Sequence, residues 1–545
     1  MAGHVKPRRA VHPLALSFGV ALFLALAGNA AFWRALGALA PGEPLFLAST
    51  FLILVLLLQL VLTLFALPYL WKPVAALLLV TAAVAAHFMD TYGTVIDRTM
   101  VQNIVETDVR EVAELLTPLL LLRVFAFGVL PALLVARMPL RFAGWRRELA
   151  GRAALVAVCF VLIAGAIALH YKQFALIGRG HAELRLLINP TSPLYAAWRY
   201  FRKRPEAKSV APIALDARRV APASGQRPRL VVLVVGETAR AANFSLGGYA
   251  RETNPLLSRL PIVYFHDVSS CGTTTAVSVP CMFSPFGREG YTDRKAKSHE
   301  GLLDVLQRTG VSVLWRDNNS GCKSTCNRVP HEAGSDLRHP SFCVGDDCFD
   351  EVLLEGLPAW IDALSGDGFV VLHQQGSHGP AYHKRAPPAF KRFLPECAEA
   401  AVESCSRESI VNAYDNTLLY TDFVLSRLIG LLEREAKRFD VAMLYVSDHG
   451  ESLGENGLYL HGLPWVLAPD TQTRVPMLAW LSDGFATGHS VDRTCLAQRA
   501  HESLSHDHLF HSVLGLFEVR AEIYARELDL FAPCRELPPR LLTGR

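Results

Sequence analysis

The chain has 545 residues, more than one ordinary domain, so at least two folding units are expected. Its formal net charge of +4 is small for that length and excludes the strongly basic surface of a nucleic-acid binder. Half of the residues (51%) are hydrophobic, and the excess gathers in the first third, which excludes a purely water-soluble protein.

A membrane-crossing helix needs about 20 largely apolar residues. Five stretches qualify, at 14–33, 45–67, 73–89, 119–136 and 153–170, and give a five-helix membrane domain over 1–171. The third is short and rich in alanine. The first is too long for the core of a signal peptide and further spans follow at once, so it is expected to stay as an anchor. Loop charges set the orientation. Lys6, Arg8 and Arg9 precede the first span, Lys72 lies between the second and third, and Arg137, Arg141, Arg146, Arg147 and Arg152 lie between the fourth and fifth. The loop after the third span carries Asp90, Asp97, Glu106, Asp108, Glu111 and Glu114 against Arg98 and Arg110. The positive-inside rule then puts the N-terminus in the cytoplasm, and five spans put everything after His170 outside.

That acidic loop, 90–114, has the length of an amphipathic helix lying on the membrane surface, with Gln102, Asn103, Glu106 and Thr107 as polar groups. Asn103, Glu111 and Glu114 are its candidates for meeting a lipid headgroup; a solvated connector is the plainer alternative. Residues 172–228 read as a linker, basic around 199–208 and then rich in Ala and Pro. Its basic part suits an anionic headgroup layer.

Of eleven cysteines only Cys159 falls in the apolar third. The others fall mostly in close pairs: Cys271 with Cys281, Cys322 with Cys326, Cys343 with Cys348, Cys397 with Cys405. Cys495 and Cys534 are left to each other by elimination. No CxxC spacing suggests a zinc ribbon, so disulfides in an oxidising compartment are expected, which agrees with the charge-based orientation.

The third region, 229–545, alternates short β-branched runs with helical patterns. Residues 229–235, 311–315, 369–373, 441–446 and 476–481 read as buried parallel strands, and 301–309 and 410–432 as helices. Such alternation predicts an α/β sheet covered by helices on both faces, whose ligands gather at the carboxyl ends of the strands. Those ends are polar: Gly236-Glu237-Thr238, then Gly376-Ser377-His378-Gly379, then Ser447-Asp448-His449-Gly450-Glu451, with His461 soon after. Carboxylates converging with imidazoles suit zinc, although each group taken singly has an ordinary structural explanation. Ser270-Cys271-Gly272-Thr273-Thr274-Thr275 precedes an apolar run and so reads as a helix N-terminus. A hydroxyl there meets the positive end of the helix dipole, which favours a nucleophilic alkoxide and any phosphate bound to it. Three threonines remain open as that nucleophile, with simple N-capping as the alternative for each.

Four strings, Gly236-Glu237-Thr238-Ala239-Arg240, Ser270 to Ala276, Gly376-Ser377-His378-Gly379-Pro380 and Ser447-Asp448-His449-Gly450-Glu451, resemble the lipid A phosphoethanolamine transferases, the family that includes the mobile colistin-resistance enzymes. The resemblance covers nearly the whole chain. It implies an alkaline-phosphatase/sulfatase fold in an extracytoplasmic domain anchored in the bacterial inner membrane. It implies a catalytic zinc held by Glu237, Thr275, Asp448 and His449, with Thr275 as nucleophile. His378 and His461 look like a second metal or substrate site, and Lys323, in Asn318-Asn319-Ser320-Gly321-Cys322-Lys323, matches a contact to the phosphoethanolamine phosphate, with Asn319 in the same group. Where the family typically has Ala, this chain has Thr274. The implied partners are phosphatidylethanolamine as donor and lipid A or lipopolysaccharide as acceptor, with the chain acting as a monomer. A core sugar or other glycan as acceptor, and phosphoglycerol as the transferred group, are the nearest alternatives. A sulfatase would need a CxPxR-type context, which is missing, and no internal repeat marks the spans as a transporter.

Overall fold

The structure, a computed structural model, describes residues 10–107, 109–202, 210–220, 225–345 and 347–535, with only the backbone of 109–111 and 335. The chain forms two compact units, one of Met1–Val101 with Leu116–Lys203, the other of Gln102–Leu115 with Arg204–Arg545.

The first unit is helical. It holds α1 (Pro13–Ala27), α2 (Ala30–Leu39), α3 (Pro44–Leu64) and α4 (Trp71–Thr91). After α4, α5 (Arg98–Glu106) and α6 (Val109–Leu115) carry the chain into the second unit. It returns for α7 (Pro118–Arg137), α8 (Trp145–Leu169), α9 (Tyr171–Gly180) and α10 (Thr191–Arg202). Among the described residues α3, α4, α7 and α8 are each long and apolar enough to cross a membrane. The expected first span is not one straight helix. It breaks at Gly28–Asn29 and α2 turns away from α1 by 61°, so the described residues hold four such helices, or five where the bent pair counts as one broken span. Asn29 accounts for the break: its buried amide donates to the Leu24 carbonyl at 2.9 Å and the Asn189 carbonyl at 3.0 Å, and its Oδ1 accepts from Asn189 N–H. Inside a bilayer a helix break survives only where side chains satisfy the freed backbone in this way. Along α8, Val158, Phe160, Val161 and Leu162 stand exposed, which fits a lipid-facing surface. Residues 172–202, expected within a linker, are largely helical.

The second unit is built on a seven-stranded sheet of β1 (Arg229–Gly236), β2 (Ile262–Phe265), β3 (Ser312–Asp317), β4 (His331–Ala333), β5 (Gly368–His373), β6 (Asp440–Ser447) and β7 (Met477–Leu481), in the order β2-β7-β6-β1-β5-β3-β4. β1, β5 and β6 are buried at every position, as the continuous apolar runs predict. One expectation fails: 476–481 is not a parallel strand. β7 runs antiparallel to both β6 and β2. A strand buried on both faces has the same apolar run whichever way it points. The short edge strands β2 and β4 carry too few residues to stand out in the sequence. Helices α11 (Thr275–Met282), α12 (Leu302–Arg308) and α13 (Arg407–Glu435) pack beside the sheet, the last capped by Ser406, whose Oγ accepts from Ser409 N–H.

Register positions the functional edge. Ser447 pairs with Gly236, Val235 with His373, and His373 with Asp317. Four parallel strands therefore end within a residue of one another, and the polar residues that follow them share one edge. All five expected disulfides form, including Cys495–Cys534, and all lie in this unit; Cys159 is a free, buried thiol.

Candidate metal and transfer site

Glu237 follows β1 and Asp448 and His449 follow β6, so the side-by-side register brings them together. The turn after β1 is tight. Thr238 has a positive φ of 59°, its hydroxyl donates to Glu237 Oε1 at 2.5 Å, and its N–H donates to Asp448 Oδ1 at 3.0 Å. Gly376, with φ +55°, lies so close that a Cβ there would meet the Glu237 carbonyl at 2.6 Å; only glycine fits.

Thr275 is the first residue of α11. Its Oγ1 lies 3.1 Å from Glu237 Oε2, 3.3 Å from Glu237 Oε1 and 3.4 Å from His449 Nε2. His449 Nε2 is 3.3 Å from both Glu237 Oε1 and Asp448 Oδ2. These separations of 3.1–3.4 Å match the roughly 3.3 Å between ligands that share one zinc at about 2.0 Å each. The three threonines separate here. Thr273 donates to the Leu463 carbonyl, Thr274 has a buried hydroxyl without a partner, and Thr275 reaches the carboxylate and the imidazole.

Electrostatics call for a cation at this point. Burial and the Glu237 charge push Asp448 up to about 6, and its Oδ2 is buried without a hydrogen bond. Burial works against a charged imidazole, yet Asp448 and Glu237 outweigh it and drive His449 up to about 10. Burial likewise opposes ionised Glu237, but contact with His449 holds its carboxyl low. His449 Nδ1 lies 2.9 Å from the Gly450 carbonyl, which assigns the proton to Nδ1 and frees the Nε2 lone pair for a metal. Glu237, Asp448 and His449 form one group able to hold an ion, and His449, Glu451 and His461 form another.

The second group brings in a residue without a role assigned from sequence. Glu451 is fully buried; its carboxyl accepts from Tyr382 OH and lies 2.9 Å from His461 Nδ1. Burial pushes it up to about 8. The His461 ring lies 4.3 Å from that of His449, tilted to it, and 5.5 Å from that of His378, edge to face, so the two histidines stand side by side. Asn319 anchors the first group instead, donating to Glu237 Oε2 at 2.6 Å and to the Gln374 carbonyl at 2.9 Å. Lys323 is held near the same loop, its Nζ donating to Ser320 Oγ at 2.8 Å and to the Glu106 carbonyl at 3.2 Å.

Two further histidines escaped sequence reasoning. His373 ends β5, lies 2.9 Å from Asp317 through Nδ1, and has a buried Nε2 without a hydrogen-bond partner; it read only as the end of a strand. His506 accepts from Cys271 N–H at 3.0 Å through Nδ1 and meets the Ser447 carbonyl at 2.9 Å through Nε2. It lies far along the chain from every motif.

Among the lipid-facing candidates, Asn103 is half-buried, and the side chain of Glu111 lies outside the described residues. Glu114 does not face lipid. It pairs with Arg385 at 2.9 Å and Lys384 at 3.1 Å, with its side chain 8% exposed. Glu106 pairs with Lys297 at 2.7 Å and Gln102 donates to Asp293 at 2.9 Å, so 102–115 is bound to the catalytic unit rather than left free. Beside the site opens a cavity of about 470 Å³, walled by Asn318, Asp350, Gln375, His383, Lys384 and Lys391.

Sheet, helix N-terminus and candidate ligand cluster together mark a domain of the alkaline-phosphatase and sulfatase type, and the Sulfatase family profile matches 229–519. The profile described as phosphoethanolamine transferase EptA/EptB matches 54–204. The chain is 41% identical over 538 residues to phosphoethanolamine transferase EptA of Escherichia coli strain K12, covering 97% of this chain and 98% of that one. It is 38% identical over 533 residues to phosphatidylethanolamine transferase Mcr-1 of Escherichia coli, covering 94% and 96%. The integral membrane lipooligosaccharide phosphoethanolamine transferase A of Neisseria meningitidis superposes with a TM-score of 0.94 at 37% identity, covering 97% of this chain and all of that one. The chain belongs to the EptA-type phosphoethanolamine transferase family.

Proposed function

We propose that the protein moves phosphoethanolamine from phosphatidylethanolamine to lipid A through a covalent intermediate on Thr275. The observation that carries this reading is the Thr275 hydroxyl at the start of α11, within 3.4 Å of Glu237 and His449. One zinc ion is assigned to Glu237, Thr275, Asp448 and His449, because two buried carboxylates and a tautomerically fixed imidazole cluster together and the hydroxyl reaches Glu237 and His449. Bound there, zinc lowers the hydroxyl pKa and offsets oxyanion charge. His378, Glu451 and His461 supply a second metal or substrate position.

Thr275 Oγ gives up its proton and attacks the phosphorus of the donor. The bond to the glycerol oxygen breaks, diacylglycerol leaves with a proton, and phosphoethanolamine stays on Thr275. An oxygen of the acceptor's phosphate then attacks the same phosphorus and Thr275 Oγ departs, regaining its proton. The α11 N-terminus favours the anionic phosphoryl group throughout. Lys323, a loop away, is suited to offset its charge, and the adjacent cavity gives the second lipid's headgroup room. The five disulfides support a periplasmic catalytic unit, and loop charges support a cytoplasmic N-terminus in the inner membrane. With donor lipid alone, intact-mass and peptide analysis is expected to find phosphoethanolamine on Thr275. A fully active enzyme that never carries the group there would overturn the covalent reading.

A further inference from the structure

We infer that the membrane unit carries a second, non-catalytic site for the phosphate of an anionic lipid headgroup, in a cavity of about 730 Å³ walled by Arg98, Arg185, Thr191, Ser192, Tyr195 and Arg199. Chain topology fixes which end of the membrane unit holds it. Arg98 follows α4 and the other residues follow α8, the third and fifth spans. Both helices leave the bilayer on the same side, the side from which the chain continues into the catalytic unit.

The charge balance of the walls points to an anion. Among the described residues neither the Arg185 nor the Arg199 side chain makes an ion pair or donates a hydrogen bond, and Arg98 has a buried Nε with no acceptor. The one acid on the wall, Asp97, is already engaged, accepting from Met100 N–H at 2.9 Å. Guanidinium groups recognise phosphate oxygens through paired N–H bonds, and the hydroxyl of Ser192 at the start of α10 adds a neutral donor.

A second observation says that the anion belongs to a lipid. α10 turns Tyr195, Trp198 and Phe201 outward, each more than half exposed. Arg199 lies 5.8 Å from the Tyr195 ring and Arg202 4.8 Å from the Trp198 ring. Aromatic rings with arginines stacked on them are the composition of a helix lying at the headgroup level. The opposite face is firmly docked, with Ala196 and Tyr200 packed on Ala85, Met89, Ile96 and Val101. The cavity is therefore a fixed feature of the unit, open where headgroups lie. The site's use in catalysis rests on the transfer reading above; its binding does not.

The test is native mass spectrometry of the full chain in neutral detergent, carrying Thr275→Ala so that turnover is absent. Phosphatidylglycerol, lipid A and phosphatidylcholine are added in turn, against the same chain with Arg185→Gln and Arg199→Gln. Neither side chain makes an ion pair or a hydrogen bond, and Arg199 only rests over the exposed Tyr195 ring, so the fold should survive, which circular dichroism checks. The expected result is retention of the anionic lipids with at least about tenfold weaker binding in the double variant, and no change for phosphatidylcholine. Competition between lipid A and phosphatidylglycerol shows whether the headgroup belongs to the acceptor or to a boundary lipid. Equal retention of both anionic lipids by the double variant, or equal retention of phosphatidylcholine by the parent, would overturn the site.

Discussion

His506 ties the nucleophile loop to the end of β6, and its replacement by leucine should damage both stability and turnover. The ring is 2% exposed and bridges Cys271 N–H and the Ser447 carbonyl at 3.0 and 2.9 Å. Since Nδ1 accepts from an N–H, the proton sits on Nε2 and the ring is neutral. Leucine leaves two buried backbone groups unpaired, at a cost of roughly 1–3 kcal/mol each. The same geometry fixes a pH dependence. Burial, above all, lowers the His506 pKa from 6.5 to about 4. Between those values the unfolded chain binds a proton that the folded chain does not, so stability is full above pH 6.5 and falls as the pH drops towards 4. The loss approaches 3 kcal/mol, about 2 kcal/mol of it by pH 5. Thermal unfolding of the full chain and of His506→Leu should therefore show a stability gap at pH 7.5 that narrows by about 2 kcal/mol at pH 5. Single-turnover transfer by His506→Leu should be slowed with donor affinity little changed, because the loop leading to Thr275 loses its tether. His506→Asn, which keeps an acceptor for Cys271, should recover part of the rate. A gap that stays constant from pH 7.5 to 5 would refute the tautomer argument.

Thr274→Ala removes a buried hydroxyl that has no hydrogen-bond partner, so activity should persist and stability should stay within about 1 kcal/mol of the parent in thermal denaturation. Chelation should abolish transfer and lower the unfolding temperature, and zinc should restore both; an ion present at 100 times its Kd stabilises by about 2.7 kcal/mol. Glu114→Ala breaks a pair in which both Glu114 and Arg385 are nearly buried, leaving a cation uncompensated at a local cost of about 3 kcal/mol. Hydrogen exchange should then speed up in peptides spanning 102–115 and stay unchanged in β1.

Much of the site was legible because strand ends are where α/β sheets collect polar groups, and β1, β5 and β6 are apolar enough to mark those ends. The direction of β7 was not, since burial on both faces erases the difference between parallel and antiparallel runs. Choosing among Thr273, Thr274 and Thr275 required the turn into α11, which sends three adjacent hydroxyls to three different places. His373 and His506 act through partners distant in sequence, and no local pattern announces such a partner. Glu114 was misread for a related reason. An acidic residue in a loop between spans looks placed to meet a lipid headgroup until Lys384 and Arg385 are seen to close on it. The bend at Asn29 depends on Asn189, 160 residues away, and a hydropathy pattern passes over it.

Transfer through Thr275 can be read from the mass of lipid A in a Gram-negative host producing either the parent chain or Thr275→Ala. Lipid A should gain one phosphoethanolamine group with the parent and stay unmodified with the variant, both proteins being folded and membrane-inserted. Modification that persists with Thr275→Ala, or lipid A left unmodified by the zinc-loaded parent, would rule out transfer to lipid A by way of Thr275.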